Sequence, residues 1–251
     1  MDFGYALSGL AIGSIVGLTG VGGGSLMTPL LVIAFGIPPA VAVGTDLLYG
    51  AITKAGGAWV HGKKGHVDWK IVRLLASGSI PAALFGILLL NALSMDRHAL
   101  SSLVSTTLGI ALILTSFALL YRDRIRQFAR IPESGISAAT VAVGAVVGLL
   151  VSVSSVGAGA LGTVALFYLY PRLQPIRVVG TDIAHAVPLT AIAGLGHASL
   201  GTVDFHLLGS LILGSLPGIY IGSHLSSRIP EKMLQRALAG MLILIGGKLM
   251  F

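Results

Sequence analysis

Apolar residues run through this chain in long blocks, not at the spacing of a half-buried helix or strand. The stretches 39–60, 68–93, 99–121, 175–199, 204–226 and 233–251 are each near or above the roughly 20 residues that an α-helix needs to cross hydrocarbon. Two further apolar regions, 3–37 and 135–170, are long enough for two passes each but are interrupted. Gly20-Val21-Gly22-Gly23-Gly24 breaks the first, and Ser154-Ser155-Val156-Gly157-Ala158-Gly159 the second. The piece after each break has only about 11 to 14 residues, the length of a half-helix or re-entrant arm. MDFGYALSGLAIG, at the start, has no positive residue before its apolar run and reads as a first membrane segment.

One polar linker, 121–134, holds Arg122, Arg124, Arg126 and Arg130 and divides the chain into an apolar half at 1–120 and another at 135–251. Sliding the sequence by 136 residues lays Gly44-Thr45-Asp46 on Gly180-Thr181-Asp182 and His61 on His197. The same register lays Gly65, Val67 and Asp68 on Gly201, Val203 and Asp204, and Gly78, Ser79 and Pro81 on Gly214, Ser215 and Pro217. Between residues 23 and 86 there are 17 identities in 64 positions without a gap. Apolar composition alone aligns Leu with Leu, but not a run of Gly, Thr, Asp, His and Pro, so the halves are repeats.

Charge decides their relative orientation. Lys63, Lys64, Lys70 and Arg73 lie in or beside the 61–66 loop, whereas its counterpart at 197–202 has no Lys or Arg. If each Gly-broken region enters and leaves on one side, the two loops face opposite sides. Thirteen of the Lys and Arg residues then lie on the linker's side, only Arg97 and Lys248 on the other, and Lys54 within a span. Cytoplasmic loops carry the excess of Lys and Arg. The expectation is an all-α polytopic membrane protein of the cytoplasmic membrane. It has two inverted-topology repeats, each a Gly-broken hairpin followed by transmembrane helices, with a cytoplasmic linker and both termini outside. Such repeats place a substrate site at the bilayer midplane between them.

Composition agrees. Hydrophobic residues make up 55% of the 251 and charged ones 10%, with a mean hydropathy of +0.93; soluble domains carry about 25% charged residues. The net charge of +7 belongs to loops at a membrane and not to a nucleic-acid surface. Without cysteine there is no thiolate metal site, thiol nucleophile or redox dithiol. No metal or cofactor is implied, and no residue spacing suits catalysis.

The candidate chemistry is therefore that of a binding site. A broken membrane helix leaves backbone N–H groups that must face a cavity, and helix N-termini attract anions. Gly22, Gly23, Gly24 and Ser25 in the first half, and Gly157 and Gly159 in the second, are the expected substrate-binding segments. Asp46 and Asp182 each lie about seven residues into a long apolar helix, where an ionised carboxylate costs roughly 2.5–3.5 kcal/mol. Burial favours the neutral form of an acid, so both can take up and release a proton. Thr45 and Thr181 add a hydroxyl beside each acid and belong to the expected substrate-binding set. His185, three residues after Asp182 on the same helical face, would complete an Asp/His proton relay. Lys54 could attract an anion but is expected to snorkel to the interface. His61 and His197 recur at helix ends as anchors, and Asp68 and Asp204 read as N-caps. Gly9, Gly13, Gly17, Gly218 and Gly222 form small-residue faces that could pack within one chain or between two copies.

The stretch GLTGVGGGSLMTPLLVIAFGIPPAVAVGTDLLYGAITKAGGAWVHGKKGHVDW resembles the opening repeat of the TauE/SafE sulfite-exporter family. In the second half SSVGAGALG, VVGTDIAHAVPLTAIAGLGH and the following VDF are similar to it as well. The resemblance implies a permease for small sulfur-containing anions such as sulfite or sulfonates, commonly working in export. Many members carry Gly-Thr-Ser where both halves of this chain have Gly-Thr-Asp. The combined reading is a proton-coupled secondary transporter; the alternatives are a passive anion channel or a permease for another small organic anion.

The inverted topology has a direct test, made easy by the absence of native cysteine. Lys64→Cys and Ser199→Cys are expected to react with a membrane-impermeant thiol reagent from opposite sides of the membrane. Reaction of both from one side would overturn the inversion.

Overall fold

The computed structural model describes residues 3–19, 24–92, 97–127, 135–225 and 231–250. Among the described residues the chain forms ten α-helices and no strand: α1 (Phe3–Thr19), α2 (Gly24–Phe35), α3 (Pro39–Lys63), α4 (Trp69–Ala92), α5 (Arg97–Gln127), α6 (Ile136–Ser154), α7 (Ala160–Leu169), α8 (Pro175–Ser199), α9 (Phe205–Leu225) and α10 (Glu231–Met250). By length and composition α4, α6, α8 and residues 99–122 of α5 are long and apolar enough to cross a membrane. This is a polytopic α-helical membrane protein. Helix α5 continues through Gln127, so residues 121–127 of the basic linker are helical.

The 136-residue register reappears in the elements. Helices α2 and α7, α3 and α8, and α4 and α9 start 136 residues apart, and α3 and α8 both run for 25 residues. Each of the latter begins with a proline in its first turn, where the missing N–H costs nothing. Gly65 and Gly201, both at φ +69°, close the turns after them in the left-handed region that glycine enters freely. Asp68 Oδ1 then accepts from the amides of Lys70 and Ile71, and Asp204 Oδ1 from those of His206 and Leu207. These are the N-caps that the sequence leads one to expect.

Helices α3 and α8 pack against each other in antiparallel fashion. Gly44 near the start of α3 lies against His197 in the last turn of α8 and Thr202 beyond it, and Gly180 near the start of α8 lies against His61 and His66. Two hydrogen bonds repeat this exchange. The Asp68 amide donates to Thr181 Oγ1 at 2.9 Å, and the Asp204 amide to Thr45 Oγ1 at 3.0 Å. The outer helices are exchanged too, α1 packing on α9 and α4 on α6.

Glycine makes those outer contacts possible. In α1, Gly9 and Gly13 lie on the Leu211 and Ser215 backbone, and in α6, Gly144 and Gly148 lie on that of Leu75 and Ser79. Gly218 meets the Leu10 backbone, so this small-residue face is used within the chain. Around these seams, Met27, Leu31, Leu108, Leu112, Leu207 and Leu211 form one buried cluster. Val43, Leu47, Val151 and Leu189 belong to another, between α3, α6 and α8.

A Cβ on Gly13 would stand 2.8 Å from Ser215 Cα and 3.0 Å from its carbonyl carbon, atoms that cannot move aside alone. Gly13→Ala is expected to destabilise by about 1–3 kcal/mol. Gly209→Ala, at an exposed α9 position with nothing within 4 Å, should be neutral or mildly stabilising. Thermal unfolding in detergent checks both, and equal midpoints would contradict the packing argument.

Candidate functional site

The second glycine break is a built structure. Helix α6 ends at Ser155 in the left-handed region (φ +59°), and Gly157 and Gly159 have φ of +126° and +141°. At Gly157 and Gly159 an L side chain would be strained, so glycine is what lets the backbone take this break. Helix α7 then starts without a side-chain cap, and its first turn presents N–H groups next to the break. Of the first break, Gly22 and Gly23 lie outside the described residues. Gly24 opens α2, and Ser25 is buried in its first turn.

Both expected acids are buried in the helix pair, Asp46 completely and Asp182 with 2% exposure. Asp46 Oδ2 accepts from Thr28 of α2 and, at 2.9 Å, from Ser155 at the break. Asp182 Oδ2 accepts from Thr163 of α7 at 3.0 Å. Each short helix thus supplies a hydroxyl to the long helix after it, and Ser155 carries the connection from one half to the other. The Oδ1 atom of each acid is buried without a hydrogen-bond partner. Gly162 leaves just enough room for the Asp182 carboxylate, since a Cβ there would collide with Oδ1.

Lys54 departs from expectation. Its Nζ does not snorkel to the interface but donates to the Ala158 carbonyl in the break of the other half at 2.7 Å. It lies within electrostatic reach of both Asp182 and Asp46. A carbonyl freed by the broken helix is the better partner, because it needs a donor where no water of the headgroup region is at hand.

His185 also has another partner than the one its spacing suggests. Its Nε2 pairs with Ser79 Oγ of α4 at 2.7 Å, not with Asp182, and its Nδ1 is buried without a partner. Tyr49, the residue 136 positions earlier, lies against Ser215, the counterpart of Ser79. The hydroxyls of Thr45 and Thr181 face away from the acids, toward the amides of Asp204 and Asp68. His197 bridges two elements, Nε2 donating to the Ser152 carbonyl and Nδ1 pairing with Thr202 Oγ1, both at 2.8 Å. His61 makes no matching bridge; its Nδ1 is unpartnered and its ring lies 5.6 Å from that of His66.

Sequence reasoning missed Thr28, Thr163 and Ser155 as partners of the acids, and Ser79 as the partner of His185. Only Ser79 left a signal, through its recurrence at Ser215 in the repeat register. A cavity of about 530 Å³ lies elsewhere, at the basic ends of α4, α6 and α7, between Asp68, Lys70, Tyr168, Tyr170 and Arg172. Among the described residues no group of three or more His, Asp or Glu is arranged to hold a metal ion.

This arrangement joins an uncapped half-helix, two buried acids and a partly buried ammonium inside a helical membrane protein. The family model "Sulfite exporter TauE/SafE" matches residues 5–249. The chain is 39% identical to the probable membrane transporter protein YjnA of Bacillus subtilis, over 99% of this chain and all of the relative. It is 28% identical to the probable membrane transporter protein YdhB of the same organism, over 93% and 96%. To the probable membrane transporter protein MJ0441 of Methanocaldococcus jannaschii it is 24% identical, over 95% and 91%. No solved structure matches the chain. A match over nearly the whole length, on a polytopic helical fold, makes this chain a membrane transporter that belongs to the sulfite exporter TauE/SafE family.

Proposed function

We propose that the protein is a secondary-active permease for small sulfur-containing anions such as sulfite or organosulfonates, working by proton-coupled alternating access, with export as its physiological direction. The observation that carries this reading is the pair Asp46 and Asp182. Both are buried deep in antiparallel helices, each with one carboxylate oxygen unsatisfied. Acids at such depth are rarely kept for packing, because the insertion cost is met twice with no ion pair formed in return. The family's name supports the substrate class.

The anion binds where the half-helix of the second repeat begins, at Gly157 and Gly159, and at the related segment 22–25. Asp46 and Asp182 carry the protons. His185, held by Ser79 with one ring nitrogen free, relays a proton to and from Asp182. Thr45 and Thr181 keep the two halves in register beside the anion. The inverted arrangement is supported by the antiparallel α3–α8 pair and the reciprocal hydrogen bonds Asp68–Thr181 and Asp204–Thr45. Two such halves give alternative states of similar energy, open to opposite sides.

Sulfite flux into proteoliposomes is the experiment, with and without an imposed pH gradient and with sulfate and chloride as controls. Accumulation of sulfite driven by the gradient is expected, and Asp46→Asn and Asp182→Asn should each remove most of its pH dependence. Flux that only follows the membrane potential would make the protein a passive anion channel. Unchanged pH dependence in both variants would sink the proton assignment.

A further inference from the structure

We propose that the Lys54 ammonium is the counter-charge that receives the transported anion, and that the site takes a monovalent oxyanion, such as bisulfite or an alkanesulfonate, in preference to a dianion. The inference rests on the transport reading above and deepens it. Lys54 stands in the second half of α3, partly buried, and crosses from the first half to the break of the second. An ammonium has three N–H donors. Among the described residues Nζ has one hydrogen-bond partner, Ala158 O, which leaves two donors unused. Asp46 and Asp182 are near enough to feel its charge, yet neither closes an ion pair with it. The cation is thus held in place without being neutralised.

Its position adds a second donor set. Ala158 immediately precedes Gly159, and α7 starts at the next residue without a side-chain cap. The Gly162 amide is already taken by the Gly157 carbonyl, so the ammonium and the N–H groups of Ala160 and Leu161 are the donors beside the break, which the unpartnered Oδ1 atoms of both acids adjoin. Oxygen atoms of an oxyanion can accept from all of these donors, and from the acids when they carry protons.

Charge balance selects the valence. The other titratable groups facing the cluster, Tyr49 of α3 and His185 of α8, remain uncharged in this count. With both acids ionised, Lys54, Asp46 and Asp182 sum to one net negative charge, which repels an anion. With both protonated they sum to one net positive charge, and a monovalent anion then brings the loaded site to neutrality. A dianion would leave an uncompensated charge in a medium that penalises it heavily.

The test uses the full chain in proteoliposomes, with methanesulfonate as the always-monovalent probe and sulfite as the one whose valence follows pH. Lys54→Gln keeps an N–H for Ala158 but loses the charge, Lys54→Arg keeps the charge, and Lys64→Met is the surface control. The KM for methanesulfonate is expected to rise roughly tenfold or more in Lys54→Gln, to recover largely in Lys54→Arg and to stay unchanged in Lys64→Met. In the wild type the KM for sulfite should track the bisulfite concentration as pH is varied. A KM in Lys54→Gln within twofold of the wild type, with flux intact, would overturn the inference and leave the transport reading standing. Should Lys54→Gln fail to fold, saturable methanesulfonate uptake by Lys54→Arg supports the proposal and its loss overturns it. If the wild type moves neither anion, the transport reading falls and this inference with it.

Discussion

Hydrocarbon tolerates a broken helix or an ionisable side chain only where protein or trapped water replaces lipid around it. In this molecule the two problems are solved against each other. The break between α6 and α7 frees the Ala158 carbonyl and exposes the Ser155 hydroxyl, and these are the groups taken by Lys54 and Asp46. A bare carbonyl and a lone ammonium are each costly in hydrocarbon, and here each meets the other. Together they pin the middle of the first half to the break of the second, and the rest of the helix arrangement follows from keeping that junction out of contact with lipid.

The junction is enclosed by exchange between the halves. Each half gives its loop to the other through Thr45 and Thr181, and its outer helix through the glycine seams of α1 with α9 and α4 with α6. Seams of this kind bring backbones close without large interlocking side chains, so two packings can lie near each other in energy. The departures from symmetry gather at the polar residues. His197 is fully bonded where His61 is not, His185 stands where the first half has Tyr49, and Lys54 has Thr190 as its counterpart.

Much of this frame was legible in the sequence, because helix length, proline starts and aspartate caps are local properties. The beginnings of α3 and α8 at Pro39 and Pro175 and the caps at Asp68 and Asp204 needed nothing beyond neighbouring residues. The site was legible only in part. Thr45 and Thr181 adjoin the acids in sequence, but successive residues on a helix point about 100° apart, so their hydroxyls serve other partners. Lys54 misled for a related reason. Helical spacing gives the face of a side chain but not what the opposite half places in front of it, and a carbonyl 104 residues away leaves no trace in local pattern. Likewise Asp182 and His185 share a face, yet Ser79 from α4 reaches the imidazole instead. Arginines are good helix formers, and α5 continues through Arg122, Arg124 and Arg126 at the start of the basic linker.

The central claim is that one site, at the junction of the two halves, opens to the two sides of the membrane in turn. Ser155, at the break and bonded to Asp46, is the position from which to test it. The measurement is the reaction rate of Ser155→Cys with a membrane-impermeant thiol reagent, applied separately to each side of oriented vesicles, with and without sulfite. The account predicts reaction from either side, shifted from one to the other by reversing the pH gradient and slowed from both by sulfite. Reaction from both sides at equal rates whatever the gradient, or from one side alone under every condition, would contradict it.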